Sequence, residues 1–155
     1  MVTYRELVQS CLSEVQEIMP WDLVPRMAEN SYLLIVDVRE PYEFDHLHIK
    51  GSINVPRGIL ESACEWDYED TVPELVKARS RQIVVVCRSG SRSALAVHTL
   101  QLLGYEKAIA LRTGLRGWND YEEPLWNSAG AMVDTAETDD YFTVKLRPDQ
   151  TKPKF

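Results

Sequence analysis

The chain has too few cysteines, at the wrong spacing, for a disulfide framework or a structural zinc site. Its 155 residues include three cysteines, Cys11, Cys64 and Cys87, and no C-x-x-C pair. An odd number of cysteines without paired spacing argues against zinc and against a thioredoxin-type dithiol. The three histidines show no ligand spacing to the cysteines. We therefore predict neither a bound metal nor an organic cofactor, and each cysteine is considered singly.

Positive charge and long apolar runs are also scarce. The chain has 17 Lys and Arg against 24 Asp and Glu, a net charge of −7, which argues against nucleic acid as a ligand. No apolar run approaches the ~20 residues that a membrane helix needs. The first residues lack the basic region followed by an apolar region that is typical of a secretory signal. We expect a cytoplasmic protein that binds neither nucleic acid nor membrane.

Four short runs rich in apolar residues indicate the fold class. They lie at 33–36, 52–55, 83–86 and 108–111. Runs without alternation of apolar and polar positions are typical of strands buried on both faces of a parallel sheet. A stretch with helical character, 93–103, separates the last two runs and is closed by Gly104. Strands that alternate with helices predict an α/β domain with right-handed crossovers.

The two ends of the chain differ from this central part. A capping-box pattern followed by apolar residues at helical spacing predicts an N-terminal helix that ends near Pro20. A second short helix is predicted around 22–29. The last residues are polar and contain two prolines, which favours an extended conformation. We therefore predict a single domain over 1–126, including the N-terminal helix, and an extended C-terminal tail over 127–155.

The strongest chemical signal is Cys87, which directly follows the run at 83–86 and precedes a helix. Ligands of open α/β sheets bind beyond the carboxyl ends of the strands. A loop there can direct several backbone N–H groups into one concavity, and Gly90 lets the backbone curl tightly. Arg88 and Arg92 add positive charge, and the helix N-terminus adds about half a unit charge. Because these groups favour a thiolate, we predict that Cys87 is a nucleophile rather than a buried core cysteine.

The net charge is unevenly distributed along the chain. Residues 1–70 hold 14 acidic and 5 basic side chains, whereas residues 71–126 hold 5 acidic and 8 basic ones. The positive segment contains Cys87 and both arginines of its loop. A local positive field in an acidic protein is what an anionic substrate requires.

Four segments carry patterns that occur together in one known family. They are a D-x-R segment at 37–40, an H-I-x-G-x-x-N-x-P run at 48–56, the Cys87 loop at 87–93 and a G-x-x-x-W signature at 114–118. In this order, over roughly 17–126, they resemble the rhodanese (sulfurtransferase) family. Leu115 stands where the second glycine of the family's G-G-x-x-x-W signature usually lies.

The resemblance implies a rhodanese-like three-layer domain, with a central parallel sheet flanked by helices on both faces. It implies that Cys87 takes a sulfane sulfur from a donor such as thiosulfate, holds it as a persulfide and passes it to a thiophilic acceptor. The loop amides would cradle the persulfide, and the two arginines would hold the anionic group of the donor. The substrate-binding residues would thus be Arg88, Ser89, Gly90, Ser91, Arg92 and Ser93.

Three residues outside the loop are predicted to support the site. Asp37 ends a buried strand and is expected to accept hydrogen bonds from neighbouring loops, a structural role. Arg39 is expected to pair with a neighbouring side chain. Arg57 follows the second strand and is expected near the rim of the site. A contact to the donor is the alternative to a supporting role for this residue. Cys64 is expected to be an inert thiol, with relay of the persulfide as the alternative reading.

Other functions stay open at this stage. The domain could act as a sulfur-relay module that serves protein donors and acceptors, and a non-catalytic domain is disfavoured by the intact Cys87. A phosphatase of the C-x5-R type would need an arginine at Ser93, whereas here Arg92 lies one position earlier, in a loop that better fits a single sulfur atom. Expected partners are a thiosulfate or persulfide donor and, as acceptor, cyanide, a thiol or a small sulfur-carrier protein. We expect a monomer or a weak homodimer.

Overall fold

Five parallel strands form one sheet. The computed structural model describes residues 1–154, and the strands are β1 (Glu17–Ile18), β2 (Leu34–Asp37), β3 (Ile53–Asn54), β4 (Ile83–Val86) and β5 (Ala108–Leu111). Their order across the sheet is β1-β5-β4-β2-β3, and each neighbouring pair is parallel. The central position of β4 places the loop that follows it in the middle of the carboxyl edge of the sheet.

The sheet is buried on both faces. Every residue of β2, β4 and β5 is buried. Val36 and Val85 pack into one apolar cluster, whereas Ile35 and Val84 pack into another. Successive strand residues point to opposite faces, so the two clusters lie on opposite sides of the sheet. Burial on both sides explains why the strands show no alternation of polar and apolar residues.

Helices cover both faces of the sheet. In chain order they are α1 (Tyr4–Leu12), α2 (Pro20–Glu29), α3 (Pro41–His46), α4 (Leu60–Ala63), α5 (Pro73–Val76), α6 (Ser91–Leu102), α7 (Gly114–Asp120) and α8 (Thr135–Phe142), with 3-10 turns at Arg57–Ile59 and Pro148–Gln150. α1 contacts α6, which supplies Val97 to the first cluster. α7 and α8 supply Trp118 and Phe142 to the second. The predicted three-layer α/β architecture is confirmed. Within residues 1–154, no helix has the length and apolar character needed to cross a membrane.

The prediction for the N-terminal helix is wrong at its C-terminal end. α1 ends at Leu12, not near Pro20, and Glu17–Ile18 forms β1 at the edge of the sheet. Val15 and Ile18 continue the apolar spacing of the helix and are both buried, but they are reached by a turn and a strand. β1 exists because it pairs with β5, where Ile18 lies opposite Leu111. A two-residue strand that depends on a distant partner leaves no local signal in the sequence.

The C-terminal segment contains a helix where an extended tail was predicted. α8 begins after Asp134, whose side chain accepts a hydrogen bond from the Glu137 amide at 2.9 Å. Phe142 is 5% exposed, so this helix packs onto the domain. Phe142 is the one fully apolar side chain of α8 that is buried, and most of the others are polar, which explains why the sequence predicted an extended tail. The division of the chain at residue 126 stays a prediction, and Phe155 lies outside the described residues.

Candidate active site

Cys87 lies at the carboxyl end of β4 with its sulfur inside the loop that leads to α6. The residue is 1% exposed. Its Sγ accepts hydrogen bonds from the amide of Gly90 at 3.1 Å and from the amide of Ser93 at 3.3 Å. Gly90 has a φ of +99°, a left-handed conformation that a residue with a Cβ adopts only with strain. This conformation turns the chain back so that two amides converge on one sulfur atom.

The Ser93 hydroxyl is a third polar group at this sulfur. Its Oγ lies 3.3 Å from Sγ of Cys87 and 3.1 Å from the carbonyl oxygen of Gly90, to which it donates. A hydroxyl both donates and accepts, so Ser93 can accept from the thiol or rotate to donate to the thiolate. The side chain of Ser93 is fully buried, which keeps this group dry and fixed.

The loop also has amides that are not used. The N–H groups of Arg88, Ser89, Ser91 and Arg92 have no acceptor among residues 1–154. Amides at the first turn of a helix lack an intrahelical partner, and the helix dipole makes that end positive. The loop can therefore bind a second sulfur atom or an oxyanion in addition to Sγ.

α7 holds the loop from the other side. The amides of Leu115 and Arg116 donate to the carbonyl oxygens of Cys87 and Arg88 at 2.8 and 2.9 Å. The approach is close enough that a Cβ on Gly114 would lie 2.6 Å from the Cys87 carbonyl oxygen. Gly114 also has a φ of +63°. The first glycine of the G-x-x-x-W signature is thus required by contact with the loop, whereas the next position contributes its amide and tolerates leucine.

Arg92 is bound by Glu43 of α3. Its two terminal nitrogens donate to the two carboxylate oxygens at 2.8 and 3.0 Å, a bidentate pair. Burial raises the pKa of the Glu43 carboxyl, but the hydrogen bonds from Arg92 and the Glu40 amide, with the charges of Arg92 and Arg39, outweigh it and the pKa is lowered. Hydrogen bonding to Glu43 raises the pKa of Arg92. The charge of Arg92 is therefore largely compensated, and the residue joins α6 to α3.

Arg88 is bound by α8 instead. Its Nη2 donates to the carbonyl oxygen of Tyr141 at 3.0 Å, and its guanidinium carbon lies 5.2 and 5.6 Å from the ring centroids of Tyr141 and Phe142. These partners are neutral, so Arg88 keeps an uncompensated positive charge beside the loop. Cation–π contact holds the side chain without neutralising it.

Asp37 and Arg39 form a buried ion pair beside the loop. Both side chains are fully buried, and Arg39 donates to both carboxylate oxygens at 2.8–3.2 Å and to the carbonyl oxygen of Leu47 at 2.6 Å. The Asn54 side chain donates to the carbonyl oxygens of Asp37 and Arg39 at 3.0 and 2.9 Å. Asp37 thus accepts hydrogen bonds from the amide and the side chain of Arg39, in the loop that follows it.

The match of one family model decides to which family this chain belongs. The family model described as "Rhodanese-like domain" covers residues 21–121 of the chain. This chain belongs to the rhodanese-like family. Within this rhodanese-like domain, the sulfur of Cys87 accepts hydrogen bonds from two backbone amides of a loop that also carries two arginines.

Relatives of this rhodanese-like domain are named for sulfur chemistry. "Putative sulfur carrier protein YrkF" of Bacillus subtilis is 30% identical over 112 residues, which is 72% of this chain and 55% of the relative. "Adenylyltransferase and sulfurtransferase uba4" of Aspergillus terreus is 30% identical over 106 residues, 59% of this chain and 22% of the relative. The chain thus spans about half, or less, of the length of these relatives. The family supports sulfur transfer in general terms.

A similar solved structure comes from Rhodopseudomonas palustris. The protein RPA3614, described as a "Possible Tyrosine Phosphatase", aligns with a TM-score of 0.72 and 26% identity over 79% of this chain and 93% of that one. A rhodanese-related protein from Thermoplasma volcanium aligns with a TM-score of 0.58 and 27% identity, over 71% and 96% of the two chains. The second of these alignments supports the rhodanese-like fold of the present domain.

Arg57 and Cys64 are both held by the protein in this rhodanese-like domain. Arg57 donates to Glu61 at 2.9 Å and to the Thr99 hydroxyl at 3.1 Å, so its side chain links the 3-10 turn to α4 and α6. Cys64 is fully buried, and burial raises the pKa of its thiol. A buried thiol in its protonated form is a poor nucleophile, so the burial of Cys64 favours an inert role for it.

Three contributors to the site are absent from the sequence predictions. Glu43 binds Arg92, Tyr141 binds Arg88, and Gly114 permits the close approach of α7. The signature at 114–118 marks the last of these, but nothing in the sequence pairs Glu43 or Tyr141 with residues some fifty positions away. Among residues 1–154, no group of three or more His, Cys, Asp or Glu side chains is arranged to hold a metal ion.

Proposed function

We propose that this rhodanese-like domain moves a sulfane sulfur from thiosulfate or a persulfide donor to a thiophilic acceptor through a persulfide on Cys87. The observation that carries the proposal is the loop itself. It surrounds one sulfur atom with two donating amides and offers four further amides without an acceptor, from Arg88 to Arg92. A persulfide adds a second sulfur atom and a negative charge, which those amides suit.

The transfer step is a displacement at sulfur. The Cys87 thiolate attacks the outer sulfur of thiosulfate, the S–S bond of the donor breaks, and sulfite leaves with the bonding electron pair. The new S–S bond leaves the persulfide anion inside the loop. An acceptor then attacks the outer sulfur and restores the Cys87 thiolate. The proposed acceptors are cyanide, a thiol or a small sulfur-carrier protein, the last in keeping with the names of the relatives.

The two arginines have different roles in this proposal. Arg88 keeps its charge uncompensated and attracts the anionic group of the donor, while Arg92 is bound by Glu43 and holds the loop in place. Asp37, Arg39 and Arg57 act as supports that do not touch the donor. We expect the protein to work in the cytoplasm, where its three free cysteines stay reduced.

Loop length supports sulfur transfer over phosphate hydrolysis. Arg92 is the fifth residue after Cys87, and the sixth is Ser93, whose amide and hydroxyl both reach Sγ. A phosphoryl group brings three oxygen atoms and needs a wider loop, whereas a sulfane sulfur is one atom. Hydrolysis of an aryl phosphate faster than sulfur transfer from thiosulfate would contradict the proposal.

The direct test is the mass of the protein after exposure to a donor. Treatment with thiosulfate should add one sulfur atom, about 32 Da, to the peptide that contains Cys87, and cyanide should remove it as thiocyanate. Cys87→Ser should gain no sulfur, and Cys64→Ser, which removes the buried thiol, should gain it as the unaltered chain does. Sulfur on Cys64, or none on either residue with thiosulfate and glutathione persulfide, would overturn the proposal.

A further inference from the structure

A groove of about 770 Å³ lies between α1 and the Cys87 loop. Its walls include Tyr4 and Arg5 of α1, the loop residues Ser89–Ser91, and Arg112, which follows β5. Gly90 belongs to this wall and also donates its amide to the sulfur of Cys87. Gly90 therefore borders both the groove and the reactive atom, and the volume is in the range of small-molecule sites.

The charged side chains of the groove are free for a ligand. Arg5 and Arg112 are exposed and form no ion pair or side-chain hydrogen bond with residues 1–154, whereas Arg39, Arg57 and Arg92 are all bound by carboxylates. The groove thus brings together two arginines without a carboxylate partner among the described residues, in a chain of net charge −7. Glu17, also exposed, places one carboxylate at the same groove.

The stability of α1 does not explain why an arginine occupies position 5. It lies in the first turn of α1, which a capping box between Thr3 and Glu6 fixes with hydrogen bonds of 2.8 and 3.1 Å. A cation at this end of a helix is disfavoured by the helix dipole. The backbone of Arg5 is thus fixed at a position that is unfavourable for a cation, and its exposed side chain lines the groove.

α1 lies outside the segment that defines the family. The family model begins at residue 21, after both α1 and Glu17. α1 is fixed on the domain through the buried residues Val8 and Cys11 and through its contact with α6. One wall of the groove is therefore formed by a segment that the family model does not match, and the other by the loop that carries Cys87.

We propose that this groove binds the body of a low-molecular-weight thiol persulfide of the glutathione type, with its carboxylates on Arg5 and Arg112. The proposal rests on the proposed function, because it assigns a subsite to the sulfur donor. A tripeptide thiol of this type has two carboxylates and one ammonium group, which match two arginines and Glu17. Thiosulfate is small enough to bind within the loop alone, and the carboxylate of Glu17 disfavours ligands that carry only negative charge.

The donor reaction that this subsite serves is balanced without an oxidant or reductant. The Cys87 thiolate attacks the outer sulfur of the donor persulfide R–S–S–H, and the S–S bond of the donor breaks. The thiolate R–S⁻ leaves with the electron pair, and Cys87 becomes the hydropersulfide. The sulfane sulfur keeps its oxidation level, and the released thiol remains in the groove until it dissociates.

The first test measures binding without chemistry. Cys87→Ser protein is titrated with S-methylglutathione, which carries the same charged groups and cannot transfer sulfur, and binding is followed by calorimetry at millimolar ligand. We expect saturable binding that weakens about tenfold when Arg5→Gln and Arg112→Gln are added together. Arg26→Gln, an exposed arginine on α2, is the matched control and should leave binding unchanged. No binding, or binding that the double variant leaves intact, would overturn the subsite whatever the fate of the proposed function.

The second test compares two donors on the reactive protein. The rate constant for sulfur loading of Cys87 by glutathione persulfide should fall about tenfold in the Arg5→Gln/Arg112→Gln variant, while the rate constant for thiosulfate should change less than about twofold. Equal losses for both donors would show that the arginines act through the general field and not through a subsite. If no donor loads Cys87, the proposed function fails, and the binding titration still decides the subsite.

Discussion

At the scale of single residues, the loop depends on a carboxylate that is not part of it. Glu43 is 7% exposed and binds Arg92 through two charge-assisted hydrogen bonds. It also accepts a hydrogen bond from the Glu40 amide at 3.0 Å. The pair connects α3 to the first turn of α6, and that turn provides the Ser93 amide for the sulfur. Loss of the pair should therefore affect both stability and the geometry at Cys87.

We predict that Glu43→Gln lowers the free energy of unfolding at neutral pH by about 1–3 kcal/mol. The pKa of Glu43 is lowered in the folded protein from its ordinary value of 4.5. At pH values between the folded-state pKa and 4.5, Glu43 is protonated in the unfolded chain and ionised in the folded protein. The stabilisation by the Glu43–Arg92 pair is therefore complete above pH 4.5 and is lost as pH falls through the folded-state pKa. The stability difference between the two proteins should therefore shrink below pH 4.5. Denaturant titrations at a series of pH values measure it.

The exposed Glu29 provides the control for this measurement. Glu29→Gln removes a carboxylate without an ion-pair partner among the described residues, so its stability curve should run parallel to that of the unaltered chain. A constant gap between Glu43→Gln and the unaltered chain down to pH 3 would contradict the assignment of the lowered pKa to this pair.

Site residues could be predicted from the sequence where the residues that act together lie close to one another along the chain. Cys87 and its loop could be predicted because nucleophile, glycine and arginines are consecutive, and Asp37 because it ends an apolar run. The local pattern could not show that Arg92 is bound by Glu43, since that contact depends on how α3 packs against α6. The sequence assigned both loop arginines to the donor, whereas the structure leaves only Arg88 with an uncompensated charge.

At the scale of elements, α8 contributes to the site although it lies beyond the segment that the family model matches. Its Tyr141 carbonyl accepts from Arg88, and the rings of Tyr141 and Phe142 contact the same guanidinium group. His46 of α3 stacks on Tyr141 with ring centroids 4.9 Å apart. α8 thus fixes the one loop arginine whose charge is not compensated by a carboxylate of residues 1–154.

Phe142→Ala should release α8 from the domain. Removal of a buried phenylalanine costs about 3 kcal/mol or more, and here the loss falls on a short helix with few other buried residues. Backbone hydrogen exchange should become faster in α8 and at Arg88, while the amides of β4 keep their protection. Sulfur loading by thiosulfate should slow, because Arg88 loses its fixed position.

Leu146→Ala is the matched control, since this leucine follows α8 and is 64% exposed. It should leave exchange in α8 and the loading rate as they are. Faster exchange in α8 and β4 to the same extent would mean that α8 unfolds only with the whole domain, which contradicts a local release of α8 on loss of Phe142.

The elements differ in how far the sequence determines them. β2, β4 and β5 were predicted within one residue because burial on both faces produces continuous apolar runs. β1 and α8 were missed for a shared physical reason: each is short, and each is stabilised by a distant element, β5 in one case and α7 with the second apolar cluster in the other. Their stability comes from tertiary contacts that no local pattern records.

At the scale of the whole molecule, the charge is divided between a positive loop and an acidic remainder. Residues 61–70 alone contribute five exposed carboxylates, of which Glu61 and Glu65 are paired with arginines. Asp67 and Glu69 form no ion pair with residues 1–154. We call the exposed carboxylates of residues 61–70 the acidic surface. An anionic small donor is attracted to the loop, while a protein acceptor that carries positive charge is attracted to the acidic surface.

Salt should therefore slow transfer to a protein acceptor more than transfer to a small neutral thiol. Cys87 is first loaded with sulfur and freed of donor, so that only the second half-reaction is observed. With a small basic sulfur-carrier protein the rate constant should fall as ionic strength rises, because charges more than about 8 Å apart are screened at 0.15 M. With dithiothreitol, a small thiol that has no basic group to bind the acidic surface, it should change much less. Asp67→Asn/Glu69→Gln should reduce the salt dependence, and Glu29→Gln/Glu106→Gln, an equal charge change elsewhere, should not. Identical salt dependence for both acceptors would leave the acidic surface without a role in recognition, and the donor side of the loop would then be the only electrostatic feature that bears on sulfur transfer.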